Sequence, residues 1–139
     1  MEKRDFQKYE FTSFWKEDDD DIILWNYVPS LEMDLTVAKK LVKYRLEYTQ
    51  NKAVYTLIDF THVKSVTKEA RDYMNDPEGG LRGVLGGAFL SNNVVAILFI
   101  NLYLKVSNPV VPAKFFNRKE DALIWLKKIK AEKAQFALK

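Results

Sequence analysis

Asp59 and His62 are the first residues to examine for chemistry. His62 is the one histidine of the chain. It follows an apolar run at positions 54–60, and ligand sites in α/β sheets commonly lie beyond the ends of such strands. A carboxylate and an imidazole three positions apart form a minimal acid/base pair, the carboxylate orienting the ring while the ring moves the proton. No hydroxyl or thiol nucleophile stands at motif spacing from them. An aspartate at a strand end also has a simpler task, accepting the backbone N–H groups of the following turn. The expectation is a turn-holding Asp59 and no catalysis.

Three other stretches invite a chemical reading. Asp18, Asp19, Asp20 and Asp21 could gather oxygens around Ca²⁺, but a calcium-binding loop counted from Asp18 needs glycine and glutamate where Ile23 and Pro29 stand. A solvated hairpin turn is expected instead, with no metal site. The glycines at 79, 80, 83, 86 and 87 match neither phosphate-loop pattern. They also lead from a helix into a strand, whereas a phosphate loop runs from strand into helix. A connector is expected there, with Arg82 its one anion-attracting group. Lys127, Lys128, Lys130 and Lys133 share their helix with Glu120, Asp121 and Glu132. That mixture predicts a solvated face and no nucleic-acid partner.

Whole-chain properties narrow the classes. The 139 residues are 47% hydrophobic and 29% charged, with 22 basic and 19 acidic side chains and a net charge of +3. That suits one folded domain over 1–139, neither disordered nor strongly attracted to polyanions. There is no cysteine, which removes disulfides, thiolate metal sites and thiol nucleophiles. No cofactor is implied. The N-terminus has no apolar leader, and the longest apolar run, 94–104, is broken by Asn101. A membrane span needs about 20 apolar residues, so no transmembrane segment is expected and the location read from the chain is cytoplasmic.

The elements that must position these residues follow from periodicity. Residues 6–17 read as one strand, with Tyr9, Phe11, Ser13 and Trp15 on one side. An acidic turn leads to a second strand at 22–28 and closes a hairpin. Asp34 or Thr36 caps a helix running to Thr49, with Leu35, Ala38, Leu41, Val42 and Leu46 on its apolar face. Arg45 lies beside that stripe and is expected to snorkel past the core edge. Residues 54–60 form a strand covered on both faces. Thr67 caps a second helix, with Ala70, Tyr73 and Met74 inward. A helical turn is expected at 81–85, a short strand at 88–90, a helix at 94–106 capped by Asn92 or Asn93, and a strand at 113–116. Asn117 and Glu120 form a capping-box-like start to a last helix that presents Ala122, Trp125, Leu126 and Ile129, with a frayed tail after about residue 133. The order β-β-α-β-α-β-α-β-α predicts an α/β fold with about five strands in a mixed, mostly parallel sheet and about four helices.

The 94–106 helix has a narrow polar sector at Asn101 and Lys105, flanked by Val94, Ile97 and Leu98. Packing one sheet needs an apolar stripe only about 100° wide. The wider surface calls for cover by other helices of the domain, a second copy or a protein partner.

The stretch 57–71, Leu57-Ile58-Asp59-Phe60-Thr61-His62-Val63-Lys64-Ser65-Val66-Thr67-Lys68-Glu69-Ala70-Arg71, resembles the strand, loop and helix start at the heart of SpoIIAA-like, or STAS-type, domains. The ending, from Pro112-Ala113-Lys114-Phe115-Phe116-Asn117 to Glu120-Asp121-Ala122-Leu123-Ile124-Trp125-Leu126, is similar too. The resemblance covers about residues 20–130 and points to small uncharacterised bacterial members of that superfamily. It implies a docking style of function. In the anti-sigma antagonist branch the loop ends in Asp-Ser-Ser-Gly, and one serine is phosphorylated. Here the corresponding residues are Thr67-Lys68-Glu69-Ala70, and Lys68 stands at the acceptor position, so that switch does not carry over. Thr67 or Ser65 would take phosphate only in another arrangement.

Three functions remain open on this reading. The leading one is a non-catalytic regulatory or protein-interaction module, its partner another protein or a second copy. Its surface would be Thr61, His62, Ser65, Thr67 and Lys68 with Val94, Ile97, Leu98 and Asn101. The alternative is a binding module for a small apolar or lipid-like ligand, reported by Trp15, Trp25 or Trp125. The third is an enzyme using Asp59 and His62.

Overall fold

Alternation in one strand shows how the fold is layered. In Ile22–Tyr27 (β3), Ile23, Trp25 and Tyr27 enter one core while Ile22 and Leu24 enter another. A strand buried on both faces needs cover on both, and helices supply it. The structure, a computed structural model, describes residues 2–92 and 111–138, with side chains to 135. The other strands are β1 (Arg4–Lys8), β2 (Thr12–Lys16), β4 (Leu31–Met33), β5 (Val54–Asp59), β6 (Val63–Val66), β7 (Val84–Leu90) and β8 (Ala113–Phe116). The helices described are α1 (Leu35–Thr49), α2 (Lys68–Met74) and α3 (Lys119–Leu138).

Six strands form one sheet in the order β1-β2-β3-β5-β7-β8. The first two pairings are antiparallel and the remaining three parallel. One core lies under α1 and α2 and includes Phe14, Ile23, Trp25, Leu41, Val54 and Ile58. The other lies under α3 and includes Trp15, Leu24, Tyr55, Leu57 and Leu126. Among the described residues no helix is long and apolar enough to cross a membrane.

The α/β class and the mixed sheet agree with the sequence reading; the strand count does not. The expected strand at 6–17 is two strands, because the Tyr9 N–H bonds the Thr12 carbonyl at 2.8 Å and folds the chain back. The aromatic alternation runs straight through this turn because Tyr9 and Phe11 still pack on the core, with Tyr9 stacked on Tyr44 at 5.0 Å. The short strands β4 and β6 form a separate parallel ribbon, so the segment 61–68 is partly strand rather than loop. Each is too short to show a period. Of the helical turn expected at 81–85 only a tight turn forms, the Val84 N–H bonding the Leu81 carbonyl at 3.1 Å, and β7 starts at Val84. A Cβ on Gly86 would lie 2.6 Å from Ile129 Cδ1, so the glycine lets α3 rest on the strand backbone. The expected helix at 94–106 lies outside the described residues.

Helix starts were more legible. Asp34 accepts the Val37 N–H at 2.8 Å, and Thr67 Oγ1 accepts the Ala70 N–H at 3.1 Å. The last helix starts one residue later than the capping-box reading implies: its first bond runs from Ala122 to the Arg118 carbonyl. It stays helical to Leu138.

The two charge runs read from sequence as solvated meet each other. Lys119 Nζ donates to Glu17 Oε2 at 2.6 Å, Lys127 pairs with Asp18 at 2.6 Å, and Lys130 reaches Asp19 at 2.9 Å and Asp21 at 3.0 Å. Arg4 and Lys52 bind Asp20 and Asp21 from the other side. Glu17 is 5% exposed and also accepts the Trp15 N–H. The acidic turn therefore latches α3 onto its face of the sheet. Among these pairs only the one at Glu17 has a nearly dry carboxylate; the rest are screened by solvent.

Hydrogen bonds from Lys127, Arg4 and Lys130 hold the carboxyls of Asp18, Asp20 and Asp21 below their ordinary range. A carboxyl lowered on folding contributes stability above its unfolded value and loses it as pH falls through the folded value. Melting temperature is therefore expected to drop as pH falls below about 4, the unfolded aspartate value. Lys119→Ala, which strands Glu17, should cost about 1–2 kcal/mol in urea denaturation, and Lys127→Ala less than about 1 kcal/mol. Equal costs for the two would mean that burial of Glu17 is irrelevant.

Candidate functional site

The face under α1 and α2 is not fully packed. A cavity of about 200 Å³ lies between β3, β5, β7 and β8 and the elements α1, α2 and 79–84. Its floor opens where Gly87 leaves β7 without a side chain and Thr56 offers only a short one. Aromatic rings form much of its wall. Phe89 stacks on Phe115 at 5.1 Å, and Phe60 meets Phe89 edge-on at 5.5 Å. The row continues through Tyr27, 5.5 Å from Phe60, to Trp25, 5.7 Å from Tyr27.

Arg45 is the unexpected residue. It does not snorkel: it is 1% exposed, which corrects the expectation from the helix pattern. The physical reason is spacing. Ala38, Leu41, Val42 and Arg45 are the four buried positions of α1 and follow an i, i+3, i+4, i+7 stripe, so position 45 points at the core whatever residue stands there. Its Nη2 donates to the Gly80 carbonyl at 3.1 Å. Gly80 brings that carbonyl in because its chain crosses the end of α2 closely; a Cβ would lie 2.2 Å from the Met74 carbonyl oxygen.

The other terminal nitrogen, Nη1, is buried without a hydrogen-bond partner, as are the Trp25 N–H and the Tyr27 hydroxyl. Trp25 lies near enough to act on the Tyr27 phenol, yet no hydrogen bond of good geometry joins them. Burial pushes the Arg45 guanidinium down to about 10, and burial pushes the Tyr27 phenol well up. The groups opposing the shift of Arg45 are the phenols of Tyr27 and Tyr73, not a carboxylate. Among the described lining residues there is no Asp or Glu, and the sequence from 93 to 110 holds neither. A buried cation with no anion is costly by several kcal/mol.

The residues singled out from sequence are arranged differently. Asp59 Oδ1 accepts the Thr61 N–H at 2.9 Å, the turn-holding role expected of it. His62 is exposed, and its backbone carbonyl takes the Leu31 N–H. No hydrogen bond joins the Asp59 and His62 side chains. Thr61, Ser65, Thr67 and Lys68 are exposed; Thr67 caps α2, and Lys68 pairs with Asp72 at 3.1 Å. None of these lines the cavity. Val94, Ile97, Leu98 and Asn101 lie outside the described residues. Of the three tryptophans only Trp25 lines the cavity; Trp15 and Trp125 belong to the core under α3. Arg82 is exposed and borders a second depression shared with Lys39, Lys43, Glu47 and Glu78, where both signs of charge mix.

Replacing a buried, uncompensated charge by an apolar residue of similar length removes its desolvation cost. Arg45→Met should therefore raise the stability of the unliganded protein by about 1–3 kcal/mol in urea denaturation. A loss of similar size would show instead that the guanidinium is fully satisfied in the fold.

The chain is similar to a structure from Shewanella loihica PV-4, the crystal structure of an uncharacterised protein from the DUF3478 family with a SpoIIAA-like fold. The two share 17% identity and a TM-score of 0.59, over 86% of this chain and 97% of that one. That likeness supports the SpoIIAA-like fold expected from residues 57–71 and 112–126. No curated protein matches. The model of one family, described as a domain of unknown function, matches residues 14–130. The chain therefore belongs to that family, DUF7793.

Proposed function

We propose that this domain is a non-catalytic binding module that holds a small, largely apolar molecule in the cavity under α1 and α2. The observation that carries this is the cavity itself, about 200 Å³ and walled by aromatic rings. Engineered apolar cavities of roughly 150 Å³ hold benzene, so this one suits a ligand somewhat larger. Interiors are ordinarily packed with few voids beyond the size of a water, which makes a space of this size in the core a feature to explain.

Catalysis is disfavoured by the lining. Among the described lining residues the titratable side chains are Tyr27, Arg45 and Arg71, none of a type that exchanges protons near neutral pH. A regulatory role fits the placement: a ligand there would touch α1, α2 and the connector 79–84 together, so occupancy would be felt at the surface through three elements. None of Thr61, His62, Ser65, Thr67 and Lys68 lines this cavity, so docking of a protein or a second copy through them, with Val94, Ile97, Leu98 and Asn101, is a separate reading. A cytoplasmic setting remains part of the proposal, resting on the cysteine-free sequence.

The test is titration with 1-octanol, followed by tryptophan emission. Binding should saturate, and the signal should vanish in Trp25→Phe but persist in Trp15→Phe and Trp125→Phe. Gly87→Val offers a blocked cavity. A Cβ there meets Thr56 Oγ1 at 3.5 Å and the Phe89 ring at 3.7 Å, ordinary contacts, while the added methyls fill the floor. Affinity should fall at least about tenfold, the scale of one or two buried methyl groups. Undiminished binding by a folded Gly87→Val protein would exclude the cavity as the site.

A further inference from the structure

We infer that the ligand is a monoanion, an apolar body ending in one carboxylate, and that Arg45 Nη1 receives that carboxylate. This rests on the cavity being a binding site and adds the chemical class of its occupant.

Three facts converge. The first is a charge without an answer: Arg45 is 1% exposed, and its one hydrogen bond in the described structure goes to a neutral carbonyl, that of Gly80. The second is the sign of the surroundings. No Asp or Glu lines the cavity among the described residues, and positions 93–110 contain none. Among the described lining residues there is thus no carboxylate to neutralise the guanidinium, and only phenols oppose its shift. The third is the pattern of orphaned atoms. Arg45 Nη1 and Trp25 Nε1 are donors only, and the Tyr27 hydroxyl donates as readily as it accepts. A site whose unfilled described side-chain atoms can all donate selects an acceptor.

A carboxylate is the acceptor that fits both number and size. Guanidinium and carboxylate match in geometry, and the charge-assisted bond is about twice as strong as a neutral one. One negative charge cancels the one fully buried positive charge, that of Arg45. Arg71, partly buried, also lines the cavity and adds positive potential of the same sense. The rings of Phe60, Phe89 and Phe115 then cover the apolar body. A cationic ligand is excluded by the same reasoning, since it would place like charges together.

The experiment compares three probes of equal chain length, octanoate, 1-octanol and octylamine, by calorimetric titration of the full chain at pH 8. Octanoate should bind at least about tenfold more tightly than 1-octanol, the scale of one hydrogen bond to a charged group. Octylamine should bind more weakly than either. In Arg45→Met the advantage of octanoate over 1-octanol should disappear while 1-octanol still binds. The probe series on the wild-type chain needs no variant, so it decides the question even if Arg45→Met fails to fold. Octanoate binding no tighter than 1-octanol, or keeping its advantage in folded Arg45→Met, overturns the inference and leaves the apolar site standing. If none of the three binds, the site and its ligand class fail together.

Discussion

A guanidinium taken out of water must be answered by something, and in this domain the protein answers only half of it. Helix α1 carries Arg45 inward on its buried stripe, and the close passage of Gly80 over the end of α2 supplies one carbonyl. No other described residue lining the cavity, and no acidic residue in the sequence from 93 to 110, offers a negative charge. Such an arrangement is costly, because an apolar residue at position 45 would be easier to bury. A ligand that brings its own charge resolves the conflict, and the aromatic cavity beside Arg45 is where that ligand has room.

The two faces of the sheet are built on opposite principles. Under α3 the charges are complementary and mostly wet: the acidic turn before β3 clasps Lys119, Lys127 and Lys130. Beneath that clasp the apolar core closes, tightly enough that Ile129 lies against the backbone of Gly86. Under α1 and α2 the core instead stays open around one dry charge. The first face fixes the sheet; the second keeps a space. A binding module needs both, since a cavity persists only when the walls around it are held from elsewhere.

How much of this was legible in the sequence depends on the physics at each position. Thr67 is readable as a cap, and the first cap as Asp34 or Thr36, because a short oxygen-bearing side chain before an apolar helix has one dominant use. Strand β5 was readable because a continuous apolar run needs two covered faces. The split at Tyr9 and Phe11 was not, because turn aromatics that pack on the core mimic strand alternation. The acidic run and the lysines of α3 were each read as solvated; their partnership joins residues about a hundred positions apart, which local patterns cannot carry. Arg45 stood at a readable position but with an improbable side chain, and a charged residue on an apolar stripe is ordinarily assigned to the edge. Its exact spacing of seven from Ala38 was the available signal. The cavity left none, since a space is a property of packing.

A crystal structure grown with octanoate should place the carboxylate about 3 Å from Arg45 Nη1, with the chain lying against Phe60 and Phe89. A structure in which Arg45 Nη1 instead bonds a protein oxygen, and protein side chains fill the space between β7 and α1, would contradict that placement.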